Sequence, residues 1–213
     1  MNIMALDVHQ RFIVPGFGCK FGLWVAVAAH ALSGAVLLQL SLPEMSRVST
    51  ATVHARVVGS SGLLRGADVY TNYKLEILDT WKSGASKLTT VAVPGGTAGG
   101  IRQMVPGAPA LRVGEEYVLF LWTGRSGLTQ ITGLSQGVFH VQSGSTRSNE
   151  ASKPEDLLVM RPTAHERMLD SRGRDVVSGP ETMKFFELRR QIVGAVRAGR
   201  LMTRQQLAEG SAR

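Results

Sequence analysis

The chain has 213 residues, 44% of them apolar, with one cysteine and a formal net charge of +8. A single cysteine excludes an intrachain disulfide and any cysteine zinc cage, so stability must come from burial. The positive excess is dispersed, with 10 bases against 7 acids in residues 36–150 and 12 against 8 in residues 151–213; a dedicated nucleic-acid stripe would be more concentrated, and no nucleic-acid partner is expected.

Residues 1–35 read as a secretory signal. Lys20 precedes the run Phe21–Leu38, which is apolar apart from His30 and Ser33. Ser33 and Ala35 place small side chains at −3 and −1 for a cut after Ala35. Ser49 and Ala51 fit the same rule for a later cut, and Met4 or a later methionine is an alternative start. Uncleaved, Phe21–Leu38 becomes a membrane anchor of marginal length, with His30 costly at its centre. A buried soluble helix is the third alternative. Gly18-Cys19 precedes the apolar run rather than following it, so it is not a lipidation box.

Residues 36–142 carry the strand signals. Ala51, Val53, Ala55 and Val57 alternate with Thr52, His54 and Arg56, which predicts a half-buried strand. Val69 to Ile77 alternates the same way, and the phase break at Leu78 predicts a bulge. Val91 and Val93 continue a third strand from Leu88, which Pro94-Gly95-Gly96 ends. Tyr117–Trp122 is apolar without a break, so both faces should be covered. Gln130–Thr132 and Val138–Gln142 form a final pair. Short strands at this spacing predict an all-β fold, a small OB-like barrel of five to six strands with a helical carboxy-terminal extension. Residues 143–177 read as a polar linker, with Ser152 and Glu155 as a weak capping box. Residues 178–213 read as a basic amphipathic tail. Ser178 to Glu181 should open a helix whose apolar face is Phe185, Leu188, Ile192 and Val196, and Gly199 should end it. That helix is expected to pack on the barrel with a solvated basic face. A membrane-surface or partner-binding helix is the alternative.

Motifs for chemistry are sparse. Gly133-Leu-Ser135-Gln136-Gly137 matches the nucleophile elbow, but that elbow needs a helix after the serine, and a strand follows here. A glycine-flanked turn is the expectation, so no catalytic residue is assigned. Gly95-Gly96-Thr-Ala-Gly99-Gly100 lacks the helix start of a phosphate cradle and reads as a flexible crossover. The five histidines show no metal-ligand spacing, and His54 and His140 are expected on the surface. Glu115 and Glu116 read as ordinary exposed acids at a strand start. Tyr70, Tyr73, Trp81, Trp122 and Phe139 sit on expected strands near basic side chains, but core packing explains Tyr73, Phe139 and one face of the tryptophans more simply than base stacking. No cofactor or metal is assigned. Candidate ligand contacts are Gly95, Gly96, Gly99, Gly100, Arg102, Ser135 and Gln136, where glycines let a ligand approach the backbone.

The stretches LSLPEMS (40–46), YTNYKLEILDTWKSG (70–84), VPGGTAGG (93–100), VPGAPALRVGEEYVLFLW (105–122), GLSQGVFHV (133–141) and FELRRQIVGAV (186–196) resemble a group of uncharacterised bacterial exported proteins. That resemblance implies a leader, a compact β domain, no assigned activity and a cut near Ala35. The order Ala-x-Val, a long strand ending Trp81-Lys82-x-Gly84, then Val113-Gly114-x-x-Tyr117 is similar to the netrin-type modules of tissue metalloproteinase inhibitors, which are OB-type barrels with a terminal helix. Their disulfides and zinc-chelating amino-terminal cysteine have no counterpart here, so this likeness carries the barrel and not protease inhibition. The expectation is an exported, non-enzymatic domain in the periplasm, envelope or medium, binding a protein, glycan or envelope component. A membrane-tethered structural protein and a hydrolase using Ser135 are the alternatives.

Overall fold

The computed structural model describes residues 36–83, 89–142, 157–163, 167–177 and 179–210, with backbone alone for 203–210. The leader expected over residues 1–35 lies outside them. Among the described residues no helix is long and apolar enough to cross a membrane.

The described chain is mostly strand and closes with a long helix. It opens with β1 (Val36–Leu38) and a short helix α1 (Leu42–Val48). Ser41 caps α1: its hydroxyl accepts from Glu44 N, and the Glu44 carboxylate accepts from Ser41 N at 2.9 Å. This reciprocal box satisfies two amides that the first turn leaves without partners. Lys82 does the converse at the other end, donating from Nζ to the carbonyls of Ser46 (2.8 Å) and Arg47 (3.0 Å).

β2 (Ala51–Arg65) and β3 (Asp68–Lys82) make a long antiparallel hairpin. His54 pairs with Asp79 and Ala55 with Ile77, so Leu78 is the extra residue on β3. The phase break read there is a bulge. β4 (Thr90–Pro94) pairs with β3, and β5 (Gly96–Ala98) pairs with β6 (Ile101–Gln103) as a separate small hairpin. β7 (Glu116–Thr123) gives one edge to β2 and shares the other between β8 (Thr129–Ile131) and β9 (Val138–Gln142). Tyr117 to Leu121 are buried on both faces, as their unbroken apolar run requires, whereas Trp122 at the strand's end is half exposed.

Strand pairing continues past Gln142. β10 (Leu158–Arg161), inside the stretch read as a linker, pairs with β9, and β13 (Glu181–Lys184) pairs with β10. β11 (Arg167–Leu169) lies parallel to β1 and antiparallel to β12 (Asp175–Val176). The main sheet thus has eight strands in the order β13-β10-β9-β7-β2-β3-β4, with β8 also on β7. β4 comes to lie beside β8, but no ladder joins them and the sheet is not closed into a barrel.

The helix α2 (Phe185–Gly210) begins after β13 rather than at Ser178. Glu181 to Lys184 are drawn into the sheet edge, where Arg161 and Glu181 pair their side chains. Gly199 does not end the helix. Leu188 and Ile192 are fully buried, and Phe185, Val193 and Val196 are partly so. They complete a second core with Met45, Trp81, Val118, Phe120, Phe139, Val141 and Val159. The first core lies on the sheet's other face, built from Ala51, Val53, Ala55, Val57, Tyr73, Leu75, Val91, Tyr117, Leu119 and Leu121. One sheet therefore separates two cores. Each fully buried aliphatic side chain contributes about 1.5–3 kcal/mol to holding them.

Candidate functional site

A cleft of about 430 Å³ opens on the face of the sheet away from α2. One wall is the loop Gly107, Ala108, Pro109, Ala110 and Arg112; the floor is Tyr117, Val138 and His140; Ser135, Met160, Pro162 and Thr163 line the rest. Two tyrosine hydroxyls position the loop. Leu111 N donates to Tyr73 Oη at 3.3 Å, and Arg112 N donates to Tyr117 Oη at 3.0 Å. Both tyrosines are buried through their rings. The loop's backbone is thus fastened to two neighbouring parts of the sheet.

The polar group of the cleft follows from strand register. Tyr117 stands opposite His140 across the β7–β9 ladder, with ring centroids 5.2 Å apart. Glu115 lies two residues before Tyr117, hence on the same face. Its Oε2 accepts from Tyr117 Oη at 2.7 Å and lies 3.1 Å from His140 Nε2, and its Oε1 lies 3.5 Å from Arg112 Nη1. The hydrogen bond from Tyr117 holds the Glu115 carboxyl below its ordinary value, with His140 and Arg112 adding to the shift. Burial, then the adjoining carboxylate, pushes the Tyr117 phenol up to about 12. At neutral pH the phenol is therefore a donor, and it gives its proton to an ionised acid.

Glu116 points to the opposite face. Its Oε1 accepts from Arg56 Nη2 at 2.6 Å, and its Oε2 lies 2.9 Å from His54 Nε2. His54 is buried rather than exposed, because Phe185 of α2 packs edge-on against its ring at 4.9 Å. Alternation along β2 places His54 correctly on the polar face, but a helix covers that face. His140 is half-buried on the cleft floor and is likewise not a plain surface imidazole.

The residues singled out from sequence divide between two places. Gly96, Gly99, Gly100 and Arg102 belong to the β5–β6 hairpin and Gly95 joins it to β4; none lines the cleft. Gly99 and Gly100 form its turn with φ of 56° and 76°, the left-handed pair that a two-residue hairpin favours. A Cβ on Gly96 would stand 2.2 Å from Thr71 Oγ1, so that glycine serves close packing against β3. Arg102 is exposed. Ser135 does line the cleft, from the 3-10 turn Leu134–Gly137 that separates β8 from β9. A strand follows the turn, so the strand–serine–helix geometry of a nucleophile elbow is absent. Gln136 beside it is buried: its Oε1 accepts from Leu40 N at 2.9 Å and its Nε2 donates to Leu38 O at 3.1 Å. Gln136 is a clip for the chain entering α1.

Arg112, Tyr117 and Met160 are absent from the contacts expected from sequence, and Glu115 and His140, expected as surface side chains, are half-buried in the cleft. The signal available for them was the alternation of β7 and β9, once those strands are known to be neighbours. Among the described residues no group of three or more His, Cys, Asp or Glu could hold a metal ion. The chain matches no family model and no curated protein.

Proposed function

We propose that this chain is an exported, non-enzymatic binding domain whose ligand is a segment of an envelope protein held in the Tyr117–His140 cleft. The observation that carries the reading is the make-up of that cleft. Small apolar and proline side chains (Ala108, Pro109, Ala110, Val138, Pro162) alternate with a few fixed polar groups. Such a surface takes up an apolar segment and orients it through a small number of hydrogen bonds. The Glu115 carboxylate already serves Tyr117, His140 and Arg112, which suits a fixed recognition group better than a mobile acid–base. The curled stretch β8-β7-β2-β3-β4 supports derivation from an OB-like barrel whose seam between β4 and β8 is open. The apolar run Phe21–Leu38 and the likeness to exported proteins support passage through a membrane. A cut after Ala35 leaves α1 in place, whereas a cut after Ala51 removes Met45 from the second core; the mature protein is expected to begin at Val36, which amino-terminal sequencing checks.

The test is affinity capture from native envelopes with the wild type and with Ala110→Trp. Ala110 is exposed on the cleft wall, so the indole fills the cleft without entering a core. A partner retained by the wild type and lost by Ala110→Trp supports the reading; equal retention, or capture of glycan alone, contradicts it.

A hydrolase is the second reading, because Ser135, His140 and Glu115 line one cleft. A fluorophosphonate probe separates the two. Adduct formation at Ser135, abolished by Ser135→Ala, establishes the hydrolase; an unlabelled folded protein supports binding without catalysis.

A further inference from the structure

Among the described residues of α2, the apolar side chains packed on the second core are Phe185, Leu188, Ile192, Val193 and Val196, with Leu188 and Ile192 fully buried. Beyond Val196, Leu201 is 66% and Met202 67% exposed. Near the other end Phe186 is 49% exposed, with Lys184 Nζ 5.9 Å above its ring. The charges on this helix are segregated. From Leu188 to Met202 there is no acid, while Arg189, Arg190, Arg197 and Arg200 supply positive charge. Arg189 is engaged by Asp79 at 3.1 Å, and Arg190 also reaches Glu187 at 2.7 Å. Arg197 and Arg200 make no ion pair among the described residues.

Advancing about 100° per residue places Phe186, Arg190, Arg197, Arg200 and Leu201 within an arc of about 100°. The arc's centre lies more than about 100° from Leu188 and Ile192, and Glu187 falls outside it. Val193, partly buried against the second core, lies within it. Arg200 at one margin is near enough to Lys82 to add to burial in lowering that ammonium's pKa. An exposed stripe of cations bounded by an aromatic and a leucine is the pattern of a helix lying at a lipid interface. The apolar ends enter the headgroup boundary while the guanidinium groups meet phosphates. Phe186 and Leu201 thus share one exposed face with Arg190, Arg197 and Arg200.

We propose that this outer face of α2 docks on an anionic lipid bilayer surface. The site is separate from the Tyr117–His140 cleft, so a protein held at the membrane by α2 would keep the cleft open to its ligand.

Vesicle co-sedimentation of the full chain tests this. Phosphatidylcholine vesicles with and without phosphatidylglycerol are compared at low and high salt. Insertion of Phe21–Leu38, with Lys20 beside it, would respond to lipid charge equally in every variant, so the readout is the change in anionic preference between the wild type and the α2 variants. The wild type is expected to prefer anionic vesicles and to lose that preference in high salt. The triple variant Arg190→Gln, Arg197→Gln, Arg200→Gln should weaken anionic binding by about a hundredfold, at about fivefold per charge removed. The triple lysine variant should retain it, since a diffuse surface needs only the charge. Phe186→Ser should weaken binding severalfold. All these positions are exposed, and unchanged circular dichroism checks the fold. Equal wild-type binding to both vesicles, an unaffected glutamine variant, or a lysine variant as weak as the glutamine one would overturn the proposal. So would a stable dimer in sedimentation velocity that Leu201→Glu dissolves, since the stripe would then be an interface between two copies.

Discussion

Glu115 and Glu116 are consecutive, and each meets a histidine, but on opposite faces of one sheet. On the Glu116 side, Phe185 of α2 packs on His54 and leaves that imidazole 11% exposed, against 29% for His140, while the two acids are about equally exposed. On the Glu115 side no helix arrives among the described residues, and the pair becomes part of an open cleft with Tyr117 and Arg112. The chemistry of the two pairs is nearly the same. What covers the histidine decides that His54 is buried and that His140 lines an open cleft.

The comparison is broken most forcefully by removing the cover. Leu188→Ala takes a fully buried side chain out of the second core and should cost about 2–5 kcal/mol in denaturant unfolding. A loss below about 1 kcal/mol would mean that α2 only rests on the sheet. On the cleft side the largest effect should come from Gly137→Ala. Its Cβ would stand 2.2 Å from Thr132 O, at the turn that carries Ser135. A thermal melt should show a loss of about 1–3 kcal/mol, since the opposing atom is backbone and cannot swing aside.

Isosteric removal of each acid sharpens the contrast. Glu116→Gln weakens the charged contacts to Arg56 and to the nearly buried His54, and should cost about 1–2 kcal/mol. Glu115→Gln acts where water screens the pair and should cost less than about 1 kcal/mol. Equal costs would say that the cover of α2 does not matter to the buried pair. The smallest effect is a pH signature. Tyr117 has its folded pKa raised to about 12 from 10.0. Its stabilising contribution is therefore complete below about pH 10 and lost as pH rises toward about 12. An ultraviolet titration should show one tyrosine ionising late, and Tyr117→Phe should remove that step. Glu115 has the opposite sign. Its lowered pKa makes its contribution present above the ordinary carboxylate range and lost on acidification through the folded value.

The strands of the sheet's centre were legible because each buries its apolar residues with period two, and the bulge at Leu78 was legible as a break in that period. The apolar face of α2 was legible for the same reason, at helical period. Three things were hidden. Ser178 to Glu181 carry a helix-opening signature, yet Glu181 to Lys184 pair with β10 instead, and pairing over such distances leaves no local mark. Gly199 should stop a helix, but a single glycine costs only about 1 kcal/mol, which is too little to end one that is good on both sides. The cleft was hidden because Glu115 and His140 converge only through the β7–β9 register. The glycine-rich stretch Gly95–Gly100 misled in the other direction. Its glycines answer the needs of a tight turn and of Thr71, which look in sequence like room for a ligand.

The claim that matters most is that the open side of the sheet, and not the surface at large, receives the partner. Photo-cross-linking in native envelopes tests it directly, with a benzophenone side chain placed at Ala110 on the cleft wall and, separately, at Val177, which is 96% exposed and outside the cleft. A discrete protein adduct from position 110 and none from position 177 is the predicted result. The same adduct from both positions, or from 177 alone, would contradict the account.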